Sequence, residues 1–114
     1  MMLVIGSEAS GKRSYVKSLG YADSDISENI ADGKPVLIGL HNIVARNPEG
    51  SAALVGQLLN KHIVVCNEVG SGIIPNDARE RLAREQTGRL CIQLAQRADK
   101  VVRLVCGVAV VIKG

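Results

Sequence analysis

The chain has 114 residues, of which 46% are hydrophobic and only 2% aromatic, and it carries a net charge of +3 at pH 7. This composition suits one domain with a modest core and argues against disorder. Few aromatic rings and no basic block argue against nucleic-acid binding. No apolar run has the length of a membrane span or the pattern of a signal peptide, so we expect no membrane partner.

The first predicted elements are a strand over residues 2–6 and a helix from about Gly11 to Leu19, with Gly20 as its stop. Between them lies G-x-x-x-x-G-K, the pattern of a phosphate-binding loop (P-loop). Its glycines let backbone N–H groups converge on an anion, and the lysine adds a mobile charge. An ordinary glycine-rich turn is the alternative. The predicted nucleotide-binding residues are Gly6, Ser7, Ser10, Gly11, Lys12 and Arg13.

Two residues of this loop depart from the usual chemistry. Arg13 stands where a Ser or Thr would ligate magnesium. Glu8 places a carboxylate inside the loop, where it repels phosphate unless it points outward. A pair between Arg13 and Glu8 would neutralise both and leave Lys12 available. We therefore predict phosphate binding with the usual magnesium ligand missing.

The middle of the chain alternates between polar and apolar segments. Residues 21–34 are acidic and polar; they match no calcium loop, so a solvated linker with at most one helical turn is favoured over a metal site. Pro35–Leu40 is a predicted strand, apolar on both faces as in buried parallel strands. Asn47 and Pro48 begin a predicted helix that runs to about Asn60.

The C-terminal half continues this alternation. His62–Cys66 is a predicted strand, followed by a loop over Asn67–Pro75 at the strand end, where parallel sheets place their sites. Asn76 is the expected cap of a helix that runs to about Ala98 and is interrupted by Gly88. Its expected buried face consists of Ala78, Leu82, Leu90 and Leu94. Residues 101–106 and 108–113, separated by Gly107, are predicted strands of a hairpin.

Together these elements predict one α/β domain over residues 1–114 with a mainly parallel sheet and a C-terminal strand pair. Val4, Val36–Leu37, Val64–Val65 and Leu104 are expected on adjacent strands. Cys66, Cys91 and Cys106 are odd in number and lack C-x-x-C spacing, which indicates reduced thiols in a cytoplasmic protein.

Residues 1–19 and 62–114 resemble a known family. The resemblance lies in four segments, namely Ser10-Gly11-Lys12, the N-E-V-G-x-G loop from Asn67 to Pro75, Gly88-Arg89, and the run from Cys106-Gly107 to Lys113. In these residues the chain is similar to the bifunctional adenosylcobinamide kinase/adenosylcobinamide-phosphate guanylyltransferases of cobalamin biosynthesis. The resemblance implies a three-layer, P-loop NTPase-like (RecA-like) sheet, ATP or GTP as the nucleotide, a corrinoid substrate, and a homo-oligomer, namely a trimer.

The chain also departs from that family. Residues 20–35 are too short for the family's segment that carries a guanylylated histidine, and they contain no histidine. Gly39 stands at the position of a magnesium-associated Asp, and Arg13 replaces another magnesium-associated group. We therefore predict that guanylyl transfer is lost and that any magnesium binds without its usual protein ligands. His41 is expected to be a polar residue at a strand end.

Two functions remain open at this stage. If the chain is a kinase, Lys12 and Glu68 are the expected catalytic residues, with Glu68 holding magnesium through water or orienting a hydroxyl. Glu68 has a structural alternative, which is to cap the amides of the loop after its strand. In the second function, the chain is an inactive nucleotide-binding or structural subunit.

Overall fold

The computed structural model describes residues 1–68 and 77–114. Its core is one six-stranded sheet. The strands are β1 (Met2–Gly6), β2 (Ile26–Ser27), β3 (Val36–Leu37), β4 (Ile63–Asn67), β5 (Lys100–Val105) and β6 (Val108–Lys113). Their order across the sheet is β2-β3-β4-β1-β5-β6. The first five strands pair in parallel and β6 pairs antiparallel to β5, which confirms the mainly parallel sheet and the terminal strand pair.

Helices cover both faces of this sheet. They are α1 (Lys12–Ser18), α2 (Leu40–Arg46), α3 (Val55–Leu59) and α4 (Ala78–Arg97), with 3-10 turns at Asp23–Asp25 and Pro48–Leu54. On one face, Val16 of α1 packs with Val4 and Val65. On the other face, residues of α2, α3 and α4 pack with a separate set of strand residues. The fold is therefore the predicted three-layer α/β arrangement.

The central strands are buried because each side chain meets a helix layer on one face or the other. Leu3 of β1 lies beside Val64 of β4 and Val101 of β5, and all three are buried. This register confirms that the apolar runs expected to be neighbours are neighbours. It also brings the carboxyl ends of β1, β3 and β4 to one edge of the sheet, where the P-loop begins.

The region between residues 21 and 47 was predicted less well. The polar segment contains a short strand, β2, which pairs with β3 through Ile26 and Ser27. The predicted strand over Pro35–Leu40 is wrong beyond Leu37, because Gly39 adopts a left-handed conformation (φ 72°, ψ 34°) and α2 begins at Leu40. Glycine is the residue that adopts this conformation readily, so the chain turns there from strand to helix.

Two predicted helices also need correction. The helix expected over residues 47–60 is a 3-10 segment, Pro48–Leu54, followed by the short α3; Pro48 does begin it, but Asn47 makes no side-chain cap. The cap of α4 is Asp77, whose side chain accepts from the amides of Arg79 and Glu80, rather than the expected Asn76. Residues 69–76, including Asn76 and most of the N-E-V-G loop, lie outside the described residues.

The buried face of α4 is narrower than its sequence pattern suggests. Leu90 and Leu94 are buried as expected, and Thr87 joins them, but Ala78 is exposed and Leu82 is only half-buried. The helix is continuous through Gly88. Among the residues that the structure describes, no helix is long and apolar enough to cross a membrane.

The C-terminal hairpin is attached to the rest of the molecule at both of its ends. All six residues of β6 are exposed, although five are hydrophobic. At the turn, the amide of Gly107 donates to the carbonyl of Ser10 in the P-loop over 3.0 Å. At the far end, the Lys113 ammonium donates to the carbonyls of Ala95 and Gln96 at the end of α4.

Candidate functional site

The P-loop joins β1 to α1, as the sequence predicts. Gly11 (φ 90°) is left-handed and precedes the first residue of α1, and its carbonyl accepts from the amide of Tyr15 over 2.9 Å. Ala9 is also left-handed (φ 58°), which is uncommon for a residue with a side chain. The Ser10 amide donates to the Ser7 carbonyl over 3.2 Å. This bond closes a turn within the loop.

Lys12 points back into this loop. Its ammonium donates to the carbonyl of Ser7 over 2.5 Å and lies 3.4 Å from the hydroxyl of Ser10. Partial burial lowers the pKa of Lys12, while nearby acidic groups, including Glu8 and Glu68, act in the opposite direction. A bound anion would offer the ammonium a stronger acceptor than a neutral carbonyl. Lys12 is therefore placed to exchange its contacts within the loop for a phosphate.

Arg13 does not pair with Glu8, so that prediction is wrong. Its guanidinium lies 3.3 Å from the carboxylate of Asp23, which also accepts from Lys17 at 3.3 Å. Lys17 and Arg13 together hold the pKa of Asp23 below its usual value. Asp23 follows the end of α1, where it contacts both Arg13 and Lys17 of that helix. Glu8 instead lines the adjacent cavity.

That cavity has a volume of about 220 Å³ and lies between the P-loop and the carboxyl ends of β3 and β4. The loop contributes Lys12, Arg13 and Glu8 to its lining. The opposite side contributes polar side chains that the sequence did not mark as one group. They are Glu28, His41, Asn42 and Asn67. A site at this sheet edge agrees with the general placement of ligands in parallel sheets.

Glu68 lies at the end of β4, where its amide donates to the carbonyl of Gly6 over 2.9 Å. Its carboxylate pairs through both oxygens with the guanidinium of Arg103 on β5; the Nη2–Oε2 distance is 3.2 Å and the second contact joins Nε to Oε1. The Glu68 side chain is 22% exposed. Glu68 is therefore held by an arginine of β5, and the sequence patterns did not predict this pair. The sequence feature that could have indicated this arginine is its position as a charged residue within a run of valine and leucine.

His41 lies in the first turn of α2 rather than at the expected strand end, and its ring contacts the end of β4. Its Nδ1 accepts from the amide of Asn67 over 3.2 Å, so the neutral ring carries its proton on Nε2. Burial, and then the charge of Lys12, lower the pKa of His41. The ring is therefore neutral at pH 7, and its Nδ1 lone pair is already used. His62 lies elsewhere, with its Nδ1 3.3 Å from the hydroxyl of Tyr21.

Cys66 is another residue of β4 at this cavity. Its side chain is buried, lines the cavity floor, and contacts Cys91 of α4. The thiol donates to the carbonyl of Asn67 over 3.3 Å, and its interaction with the neighbouring Cys91 thiol, followed by burial, raises the pKa of Cys66. Both residues are free cysteines. A buried thiol with a raised pKa is a poor nucleophile, so Cys66 serves here as a packing residue.

The cavity offers few ligands for a metal ion. No cluster of three or more His, Cys, Asp or Glu side chains suited to a metal occurs within residues 1–68 and 77–114. Arg13 has no acceptor atom, and Gly39 has no side chain. Magnesium in nucleotide sites needs only one or two carboxylates, because phosphates and water complete its shell. The carboxylates of Glu28 and Glu8, which line the cavity, meet that smaller requirement.

Comparison with known proteins assigns the family. The family model described as cobinamide kinase / cobinamide phosphate guanyltransferase (CobU) matches residues 41–112. The bifunctional adenosylcobalamin biosynthesis protein CobU of Salmonella typhimurium is 43% identical over 53 residues, which is 46% of this chain and 29% of that protein. The matched stretch thus spans less than a third of that relative. Because the family model matches more than half of the chain, the chain belongs to the cobinamide kinase / cobinamide phosphate guanyltransferase family.

Proposed function

We propose that residues 1–114 act as one nucleotide-binding domain that holds the phosphates of ATP or GTP beside Lys12 and serves cobalamin biosynthesis. The observation that carries this proposal is the ammonium of Lys12, which is directed into the P-loop and lines a cavity of about 220 Å³. Family membership supports the biosynthetic assignment. The contacts to Ser7 and Ser10 would be exchanged for phosphate oxygens when nucleotide binds.

We propose phosphoryl transfer to a corrinoid hydroxyl as the reaction, with Lys12 and Glu68 as catalytic residues. Such transfer depends mainly on positioning and on positive charge near the moving phosphoryl group. Lys12 supplies that charge. An ionised carboxylate has about four lone-pair positions, and Arg103 occupies two of those on Glu68. The others remain to accept the proton of a substrate hydroxyl, with Arg103 acting as a positioning residue.

Guanylyl transfer through histidine is proposed to be lost. The chain has two histidines. His41 uses its Nδ1 lone pair to accept from Asn67, which leaves a protonated Nε2 that cannot attack a phosphate. His62 interacts with Tyr21 and does not line the cavity. Neither ring is therefore placed as a nucleotide carrier.

A second function, binding without turnover, is favoured by one observation. The Glu68 carboxylate that would orient the acceptor is already paired with Arg103. If substrate cannot reach its remaining lone pairs, the chain is an inactive nucleotide-binding subunit. The two functions differ in one measurement, the phosphorylation of cobinamide by labelled ATP or GTP.

The test begins with calorimetric titration of ATP and GTP into the whole chain. We expect binding in the micromolar to millimolar range, and the proposal fails if neither nucleotide binds at millimolar concentration. Incubation with GTP labelled at the α-phosphate then tests the histidines. We expect no acid-labile label on His41 or His62, and retained label on either would contradict the loss of guanylyl transfer.

We also propose that the chain forms a homo-oligomer, namely a trimer, in the cytoplasm. Three free cysteines support a reducing compartment. Support for assembly comes from β6, an edge strand whose exposed residues include Val108, Val110 and Ile112. Long hydrophobic edge strands pair with other chains unless something covers them. Light scattering at micromolar concentration should give three times the chain mass; a monomer would contradict the assembly.

A further inference from the structure

One carboxylate in the cavity has no counterpart in the sequence motifs. Glu28 follows β2 directly, and β2 pairs with β3 so that Ser27 lies beside Leu37. The Ile38 amide continues this ladder by donating to the Ser27 carbonyl over 2.9 Å. Glu28 therefore leaves the sheet next to Ile38 and Gly39, at the same edge as the P-loop. Its side chain is exposed and lines the cavity together with Lys12.

Gly39 explains why a carboxylate from the neighbouring strand can enter this space. A Cβ atom built on Gly39 would lie 3.8 Å from Oε1 of Glu28 and 3.5 Å from Nδ2 of Asn42. The Glu28 carboxylate thus lies beside the volume that a side chain at residue 39 would enter. The left-handed backbone of Gly39 disfavours any such side chain, whereas Glu28 reaches the position from the residue that follows β2.

The basic side chains of the cavity come from the loop side, which also carries Glu8, and the sheet side contributes the carboxylate of Glu28. Lys12 and Arg13 come from α1, which follows β1, while Glu28 comes from β2, three positions away in the sheet order. Nucleotide phosphates attract the first side and would repel the second. A divalent cation bound to the phosphates reverses that repulsion, because a hard cation prefers carboxylate oxygen. Asn42 lines the same cavity, and its side chain carries one neutral oxygen acceptor.

We propose that Glu28 is the protein carboxylate that holds the divalent cation carried by the bound nucleotide, in place of ligands that Arg13 and Gly39 cannot supply. This inference rests on the proposed nucleotide binding at Lys12. The cation, when bound, neutralises phosphate charge and links the phosphates to the sheet side of the cavity. Glu28 fixes where that link is made, and the exposed position of its side chain leaves room for the water ligands that magnesium retains.

The experiment measures how much magnesium tightens nucleotide binding. ATP and GTP are titrated calorimetrically into the whole chain in EDTA and in magnesium chloride, for the native protein and for Glu28→Gln. The native protein should bind nucleotide at least about tenfold more tightly in magnesium chloride than in EDTA, which is the effect of one charged interaction. Glu28→Gln should reduce that ratio to about twofold or less, and its binding in EDTA should be unchanged or tighter because a negative charge is gone.

Two matched variants make the result specific. Glu49→Gln changes an exposed carboxylate that pairs with Arg79 outside the cavity, and it should retain the native magnesium ratio. Glu8→Gln removes the other carboxylate of the cavity, and it should lose clearly less of the ratio than Glu28→Gln. Equal loss of the ratio in Glu8→Gln and Glu28→Gln would overturn the proposal, because the effect would then be general charge repulsion.

The outcomes separate this proposal from the function on which it rests. If Glu28→Gln keeps the native ratio of affinities with and without magnesium, the proposed role of Glu28 is wrong. Equal binding of nucleotide by the native protein with and without magnesium also overturns it, while nucleotide binding itself stands. Absence of binding in both buffers overturns both. Thermal unfolding of each variant verifies folding, and no loss is expected at Glu28 because its side chain is exposed.

Discussion

The cavity beside Lys12 has two sides that are held in place by different kinds of contact. The loop side consists of consecutive residues, whose turn is closed by the bond from the Ser10 amide to the Ser7 carbonyl. The sheet side brings together Glu28, which follows β2, His41 of α2, and Asn67 at the end of β4. Local sequence pattern can specify the first side. The second depends on the pairing of strands, which local spacing does not specify.

The largest expected effect comes from removing the charge of the loop side. Lys12→Ala should weaken ATP or GTP binding by about 1.5–3 kcal/mol, the range for a hydrogen bond to a charged group. Calorimetric titration measures this loss. Lys34→Ala, which removes an exposed lysine outside the cavity, is the control and should bind as the native protein does. Unchanged affinity in Lys12→Ala would mean that the loop side does not hold phosphate.

Gly39→Ala tests the backbone of the sheet side. The new Cβ would make only ordinary contacts at 3.5 and 3.8 Å, so the left-handed φ of 72° determines its effect. We expect a loss of about 1–2 kcal/mol in the free energy of unfolding. Urea denaturation gives this value. Gly56→Ala, within α3 and with open space around it, should by contrast be neutral or stabilising. Equal stability of both variants would contradict the strained turn.

Ala9→Gly tests strain in the loop side. Ala9 adopts φ 58°, which glycine tolerates without a side-chain clash. Relief of strain is partly offset by the greater freedom of glycine in the unfolded chain, so we expect stabilisation of up to about 1 kcal/mol. Thermal unfolding would report it. Clear destabilisation would show that the methyl group of Ala9 makes a contact that outweighs its backbone conformation.

The smallest expected effect is on the pH dependence of stability. Because the folded pKa of His41 is lowered, the native state binds fewer protons than the unfolded state, whose histidine titrates near ~6.5. Stability should therefore fall as pH drops below about 6.5. His41→Gln should flatten this fall in urea denaturation between pH 7.5 and 5.5. His62→Gln is the matched control, and equal slopes in both variants would exclude His41 as the cause.

Sequence pattern was sufficient where neighbours in the chain determine the structure. The P-loop from Gly6 to Lys12 and the buried run Ile63–Cys66 follow from glycine spacing and from continuous hydrophobicity. Short segments were not predictable in this way. The two residues of β2 are a strand only because β3 lies beside them, and the run after Gly39 suits a strand or a helix equally well.

The missed site residues have the same explanation. Arg103 meets Glu68 across 35 positions of sequence, and Glu28 reaches the cavity only through the pairing of β2 with β3. No spacing rule links such residues, because the sheet order brings them together. The predicted pair of Arg13 and Glu8 failed for a related reason: Asp23, just beyond the end of α1, is the nearer carboxylate.

The hydrogen bond from Gly107 to Ser10 makes the Gly107 amide a reporter of changes in the P-loop. This amide lies toward the β6 end of the strand order, whereas Glu28 lies at the β2 end. Any movement of the Ser10 carbonyl when Lys12 exchanges its acceptors changes the environment of the Gly107 amide. In a ¹⁵N-labelled sample, the nuclear resonance of this amide should shift on nucleotide addition, although Gly107 does not line the cavity. Ligand occupancy can thus be monitored at a turn that no nucleotide touches.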